Sequence, residues 1–132
     1  MNTKNSYNSD YKKRDNLIFT NPPNHYDIQH FTDVSIGTLQ DLIDYKYIHD
    51  NDPIQNGNLF VSDLLEFMRK YPDNTFAHGY VVSINREDYR TSLEGLIVKA
   101  PFDDKQRADF FFAMNGCDEL SQDAEELRAW WD

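Results

Sequence analysis

Cysteine is almost missing from this chain. Cys117 stands alone in 132 residues, so no intrachain disulfide can form and the sequence reads as intracellular. Set in "NGCDEL" with no basic neighbour, its thiol reads as inert rather than nucleophilic, because nothing nearby lowers its pKa. Long apolar runs are missing too: none approaches the roughly 20 residues that a membrane-spanning helix needs. The opening "MNTKNSYNSDYKKRDN" lacks an apolar h-region, so it is not expected to be a secretory signal and the chain is expected in the cytoplasm. No Gly-rich phosphate loop, dinucleotide fingerprint or G-x-S-x-G elbow occurs. These absences leave no catalytic residue to assign and no cofactor to expect, so the chain reads as a non-enzyme.

Basic side chains are the other shortage. Thirteen lysines and arginines face 23 aspartates and glutamates, a net charge of −10. Four of the bases (Lys4, Lys12, Lys13, Arg14) crowd the N-terminus, so from Asp15 onward 22 acids meet 9 bases. Such a body repels nucleic acid and anionic membranes and favours basic protein surfaces as partners.

Aromatic residues are plentiful. Nine Phe, eight Tyr and two Trp contribute to 39% hydrophobic residues, too many for a disordered chain even at this charge. The length supports one core. Residues 1–15 are expected to form a polar, mobile tail and 16–132 a single globular α+β domain.

Along the chain, "NLIFT" (16–20) suggests a short strand halted by the prolines of "NPPN", and 26–34 suggests extended structure. A helix is expected over 38–48, with Thr38 as cap and Asp41 completing a capping box. A second is expected over 59–70, where Val61, Leu64, Leu65 and Met68 recur at helical spacing and Glu66 pairs with Lys70. Between 76 and 98 a hairpin with a loop at 85–88 sorts the residues into two faces. Phe76, His78, Tyr80, Val82 and Ile84 pair with Ile97, Gly95, Leu93, Thr91 and Tyr89 on the expected core face. Ala77, Gly79, Val81, Ser83, Arg90, Ser92, Glu94 and Leu96 occupy the other. A third helix spans 104–115; its phenylalanines spread round the circumference, so it is expected to be covered on two sides. Asn115-Gly116 stops it. A fourth is expected from Ser121, with Asp123, Glu125 and Glu126 in its first turns. The whole is expected as an antiparallel sheet of three to four strands built round the 76–98 hairpin and packed by about four helices.

Histidine chemistry is weakly supported. His78 faces Gly95, where a missing side chain leaves room for an imidazole, and reads as a packed, hydrogen-bonded histidine. Ser83 and Ser92 point away from it in this register. His25 and His30 are five apart and do not share a face. "DPIQNGNLFVSD" (52–63) resembles a degraded EF-hand or dockerin-type calcium loop: Asp52, Asn56, Gly57, Leu59 and Asp63 match, whereas Ile54 and Phe60 stand where oxygen ligands belong. An ordinary helix–loop–helix connection is the preferred reading, and no metal ligand is assigned. A metal-dependent module using His49, Asp50, Asp52 and the loop to Asp63 stays as an alternative.

The acids carry the main expectation. Asp41, Asp44, Asp50, Asp52, Asp63 and Glu66 point outward from the first two helices and their loop. Asp118, Glu119, Asp123, Glu125 and Glu126 crowd the C-terminus. Carboxylates at i, i+3 on several helices approximate the charge row of a nucleic acid. The expectation is a small acidic inhibitor that occupies the basic groove of a nuclease or other nucleic-acid-binding protein, in the manner of anti-restriction or anti-CRISPR proteins of phages and mobile elements. The alternative is an immunity or antitoxin-like protein neutralising a basic toxin. Tyr45, Tyr47, Phe60, Tyr89 and Trp130 are candidate contact anchors.

Overall fold

The computed structural model describes residues 9–19, 28–55, 57–83 and 86–131. Its elements are α1 (Tyr11–Ile18), β1 (Ile28–Val34), α2 (Ile36–Asp44), α3 (Val61–Lys70), β2 (Thr75–Val82), β3 (Thr91–Lys99), α4 (Asp104–Ala113), β4 (Glu119–Gln122) and β5 (Glu126–Trp130). The fold is α+β: four helices accompany one antiparallel sheet of five strands, ordered β1-β2-β3-β5-β4. No helix among the described residues is long and apolar enough to cross a membrane.

The N-terminal expectation fails where it can be read. Residues 11–18 form a helix rather than the end of a tail and a strand; residues 1–8 and 20–27 lie outside the described part. Asp10 caps α1 by accepting a hydrogen bond from the Lys13 amide (3.1 Å). Arg14 is 0% exposed. Its Nε and Nη2 bond the Asp15 carboxylate at 3.0 and 2.7 Å, and Nη1 donates to the Tyr89 hydroxyl at 2.8 Å. A buried guanidinium needs such partners, and here they fix the helix to the end of the hairpin.

Helix α2 starts earlier than expected because Ser35, not Thr38, is the cap: its Oγ accepts from the Thr38 amide at 3.3 Å. It also ends earlier, at Asp44, and Lys46 turns the chain with φ of 66°. Helix α3 follows its expected stripe, burying Val61, Leu64, Leu65, Phe67 and Met68. Lys70 reaches Asp109 at 3.0 Å rather than Glu66. Helix α4 ends two residues earlier than expected, at Ala113 with Met114 as cap, and Gly116 follows at φ of 96°.

The expected C-terminal helix is absent; β4 and β5 occupy its place as a hairpin. Asp123 makes the turn, its Oδ1 accepting from the amides of Glu125 (2.7 Å) and Glu126 (2.9 Å). Those acids sit beside a turn aspartate, not a helix N-terminus. Leu127, Ala129 and Trp131 follow at alternate positions and are all buried, as one face of a strand requires.

The central hairpin keeps half of the expected register. Phe76 pairs with Ile97 and His78 with Gly95, but Gly79 then pairs with Leu93 and Tyr80 with Ser92. Glu94 is the extra residue of a β-bulge. A one-residue slip exchanges faces, so Leu93 joins Leu96 and Val98 on the side that the helices cover. The buried cluster against α2, α3 and α4 contains Ala77, Val81, Leu93, Leu96, Val98, Leu127 and Ala129. The expected core face was therefore the wrong one: Phe76, His78, Tyr80 and Ile97 lie on the opposite side. On the helix-covered side Gly79 allows a close approach, where a Cβ would stand 2.9 Å from the Phe31 ring.

Candidate functional site

The sequence-selected carboxylates fall into two groups. Asp41 and Asp44 on α2, Asp50 and Asp52 in the following loop, and Asp63 and Glu66 on α3 belong to the helical layer. Asp118, Glu119, Asp123, Glu125 and Glu126 belong to the β4–β5 hairpin at the far edge of the sheet. The i, i+3 rows exist on α2 and α3, whereas the third row was placed on a helix that does not form. Asp63 and Glu126 are half-buried and the other nine are exposed. Asp44 accepts from Gln40 at 3.0 Å, and Asp50 lies 3.2 Å from His49 Nδ1. Two backbone hydrogen bonds hold the Asp123 carboxyl below the usual carboxylate range.

Basic side chains are spent elsewhere. Lys99 bonds Asp33 (2.6 Å), Arg86 and Arg90 bond Asp88 (2.9 and 3.3 Å), and Arg107 bonds Asp104 (2.9 Å). Lys70 and Lys105 converge on Asp109 at 3.0 and 2.9 Å. The Tyr71 hydroxyl first, then those lysines, hold the Asp109 carboxyl well below its ordinary range. Among the selected acids, Glu126 is engaged by Arg128 at 2.9 Å.

The 49–63 loop is not built as a calcium loop. Asp52 accepts from the His49 amide (3.0 Å) and Asp63 from the Phe60 amide (2.8 Å), so both carboxylates close local turns. Pro53 bridges Phe60 as in a strand pair, and Ile54 is buried in the core. Gly57 is needed for close approach: a Cβ there would stand 2.6 Å from Trp131 Cδ1. Among the described residues no group of three His, Cys, Asp or Glu could hold a metal ion. His25 and Asn56 lie outside the described part.

The face of the sheet away from the helices holds groups that the sequence reading kept apart. The bulge turns Glu94 toward β1, where its Oε1 meets His30 Nδ1 at 2.9 Å. His78 is 7% exposed, with Nε2 donating to the Ala129 carbonyl at 3.1 Å. Burial pushes its pKa down to about 4, so the ring is neutral at pH 7. Its place opposite Gly95 is as expected: a Cβ on that glycine would lie 2.8 Å from Nε2. Ser92, expected on the far face, shares this one with Tyr80 because of the bulge; its Oγ is bonded to Arg90 Nε at 3.2 Å. An open cavity of about 450 Å³ lies here, lined by His30, His78, Glu94, Ile97, Arg128 and Trp130 among others. Cations lie over aromatic rings along the same face: Lys99 over Phe76 (4.9 Å), Arg90 over Tyr80 (5.5 Å) and Arg128 over Trp130 (5.3 Å). The signal available beforehand was Gly95 inside a strand, a usual mark of a bulge.

Of the candidate anchors, Tyr47 is buried, with its hydroxyl donating to the Asp10 carbonyl at 2.6 Å. Tyr89 holds Arg14, while Tyr45 and Phe60 stand exposed. Comparison with known proteins brings no match to this chain from any family model, curated protein or solved structure.

Proposed function

We propose that this chain is a small acidic binding protein that blocks a basic surface on another macromolecule, most naturally the nucleic-acid groove of a nuclease or similar protein. One observation carries the reading. Asp33, Asp88, Asp104 and Asp109 take up six of the body's lysines and arginines. The net charge therefore resides on outward carboxylates such as Asp41, Asp44, Glu66, Glu119 and Glu125. Exposed charge of one sign steers association with a surface of the other and weakens with salt. The i, i+3 pairs on α2 and α3 supply spaced negative charge of the kind that a phosphate-binding groove accepts.

The test is capture from lysate on the immobilised chain, repeated with Asp41→Lys, Asp44→Lys and Glu66→Lys combined. The expected partner is a nucleic-acid-binding protein, displaced by DNA, released by moderate salt and lost with the charge-reversed chain. A partner that binds the reversed chain equally well overturns the reading. A co-encoded toxin with the same salt sensitivity moves the role to toxin neutralisation.

A further inference from the structure

We propose that the groove between α3 and α4 is the docking point for an apolar, base-flanked segment of the partner. This rests on the acidic-binder reading and assigns it a place. The first observation is an uncovered ring. Phe112 is 87% exposed, although it is one of three consecutive phenylalanines on α4 and its neighbour Phe110 is fully buried. One side of α4 is buried within the chain, where Phe110 packs on Phe67 with ring centroids 5.9 Å apart. The other side presents Phe112 to solvent.

The second observation is the groove beside that ring. A depression of about 290 Å³ runs between the two helices, with Leu59, Phe67 and Ala113 among its apolar walls and Phe112 on its rim. That volume suits an inserted side chain rather than a whole cofactor. Asp63 and Glu66, one turn apart on α3, line the same groove. Lys70 does not neutralise Glu66, because it is held by Asp109 at 3.0 Å. Lys70 and Asp109 also line the groove but pair with each other. The site is therefore an apolar slot whose remaining charge is that of Glu66 and of the half-buried Asp63, which also accepts from the Phe60 amide.

Charge complementarity decides the occupant. A second copy would bring its own net charge of −10 against Asp63 and Glu66, and an anionic lipid surface would be repelled likewise. A segment with one large apolar side chain for the slot and a lysine or arginine one turn away satisfies both features, as amphipathic helices do in grooves of this kind.

The probe is a synthetic amphipathic helix of leucine and lysine at i, i+4 spacing, titrated into the isotope-labelled full chain and followed by amide chemical shifts. Its controls replace every lysine by glutamate, or every leucine by alanine. The expected result is shifts confined to residues 59–66 and 109–114, with affinity at least tenfold weaker in Phe112→Ser and again in Glu66→Lys. The combined Glu119→Lys and Glu125→Lys chain should bind as tightly as the original. Phe112 is on the surface, so its replacement should leave the urea midpoint unchanged. Shifts centred on 118–126 or 50–52 would overturn the groove while leaving the acidic-binder reading intact. Absence of binding by both lysine peptides would remove the two together. A concentration-dependent dimer abolished by Phe112→Ser would replace the partner with a second copy.

Discussion

Leu96 and Ile97 are neighbours in β3 and point to opposite faces of one sheet, and the two faces are built on different principles. Leu96 looks into a dry cluster made by three helices and alternate strand residues. Ile97 looks into a cavity shared with imidazoles, a carboxylate and an arginine. Both side chains are buried, yet only one is buried by the close packing that fixes a fold. The lesson is that low exposure has two sources here: a helical layer on one side, and on the other a covering of long side chains laid over aromatic rings.

Truncation should separate the faces most strongly. Leu96→Ala is expected to cost about 2–5 kcal/mol, because it leaves a void that tightly packed neighbours cannot close. Ile97→Ala should cost distinctly less, since its neighbouring space is already open to water. Urea unfolding of the two variants measures the gap, and equal losses would erase the distinction.

Acid comes next. His78 titrates near 4 when folded against about 6.5 when unfolded, so the unfolded chain binds the additional proton between those values. Stability from this group is therefore complete above about pH 6.5 and declines as the pH falls toward 4, by on the order of 3 kcal/mol in total. His78→Gln should flatten that portion of the profile, seen as a smaller loss of urea midpoint between pH 7 and pH 4.5. An unchanged slope would mean that the imidazole is not shielded by the open face.

The smallest effect belongs to the covering itself. Lys99→Met removes a cation from above Phe76 and from Asp33, and should cost under about 1 kcal/mol, because both partners are partly solvated. A larger loss would show that the side-chain cover is structural rather than incidental.

What was readable in the sequence depended on how local its cause was. The α3 stripe, the Asn115-Gly116 stop and the room that Gly95 gives His78 each follow from residues close in the chain or directly opposite in a ladder. The class of fold followed from these. The bulge at Glu94 did not, although a glycine within a strand hints at one, and missing it left Leu93 on the face of Ile97 rather than that of Leu96. The C-terminal hairpin was hidden because Asp123, Glu125 and Glu126 imitate the first turn of a helix; the alternation of Leu127, Ala129 and Trp131 was the better guide. Helix α1 was beyond reach, since Arg14 is held by Tyr89, 75 residues away. The candidate carboxylates were legible as exposed, because polarity alone places most of them. Phe112 was not, since nothing in its neighbourhood distinguishes it from Phe110.

Strand β5 follows β4 in sequence, yet it sits inside the sheet, between β3 and β4. Trp131 then closes over Gly57, with its indole nitrogen donating to Asn58 Oδ1 at 3.2 Å. Synthesis therefore has to run through Trp131 before the middle of the molecule can be sealed. Until then β3 presents an unpaired edge, and loss of residues 126–131 should compromise the centre of the sheet rather than merely its rim.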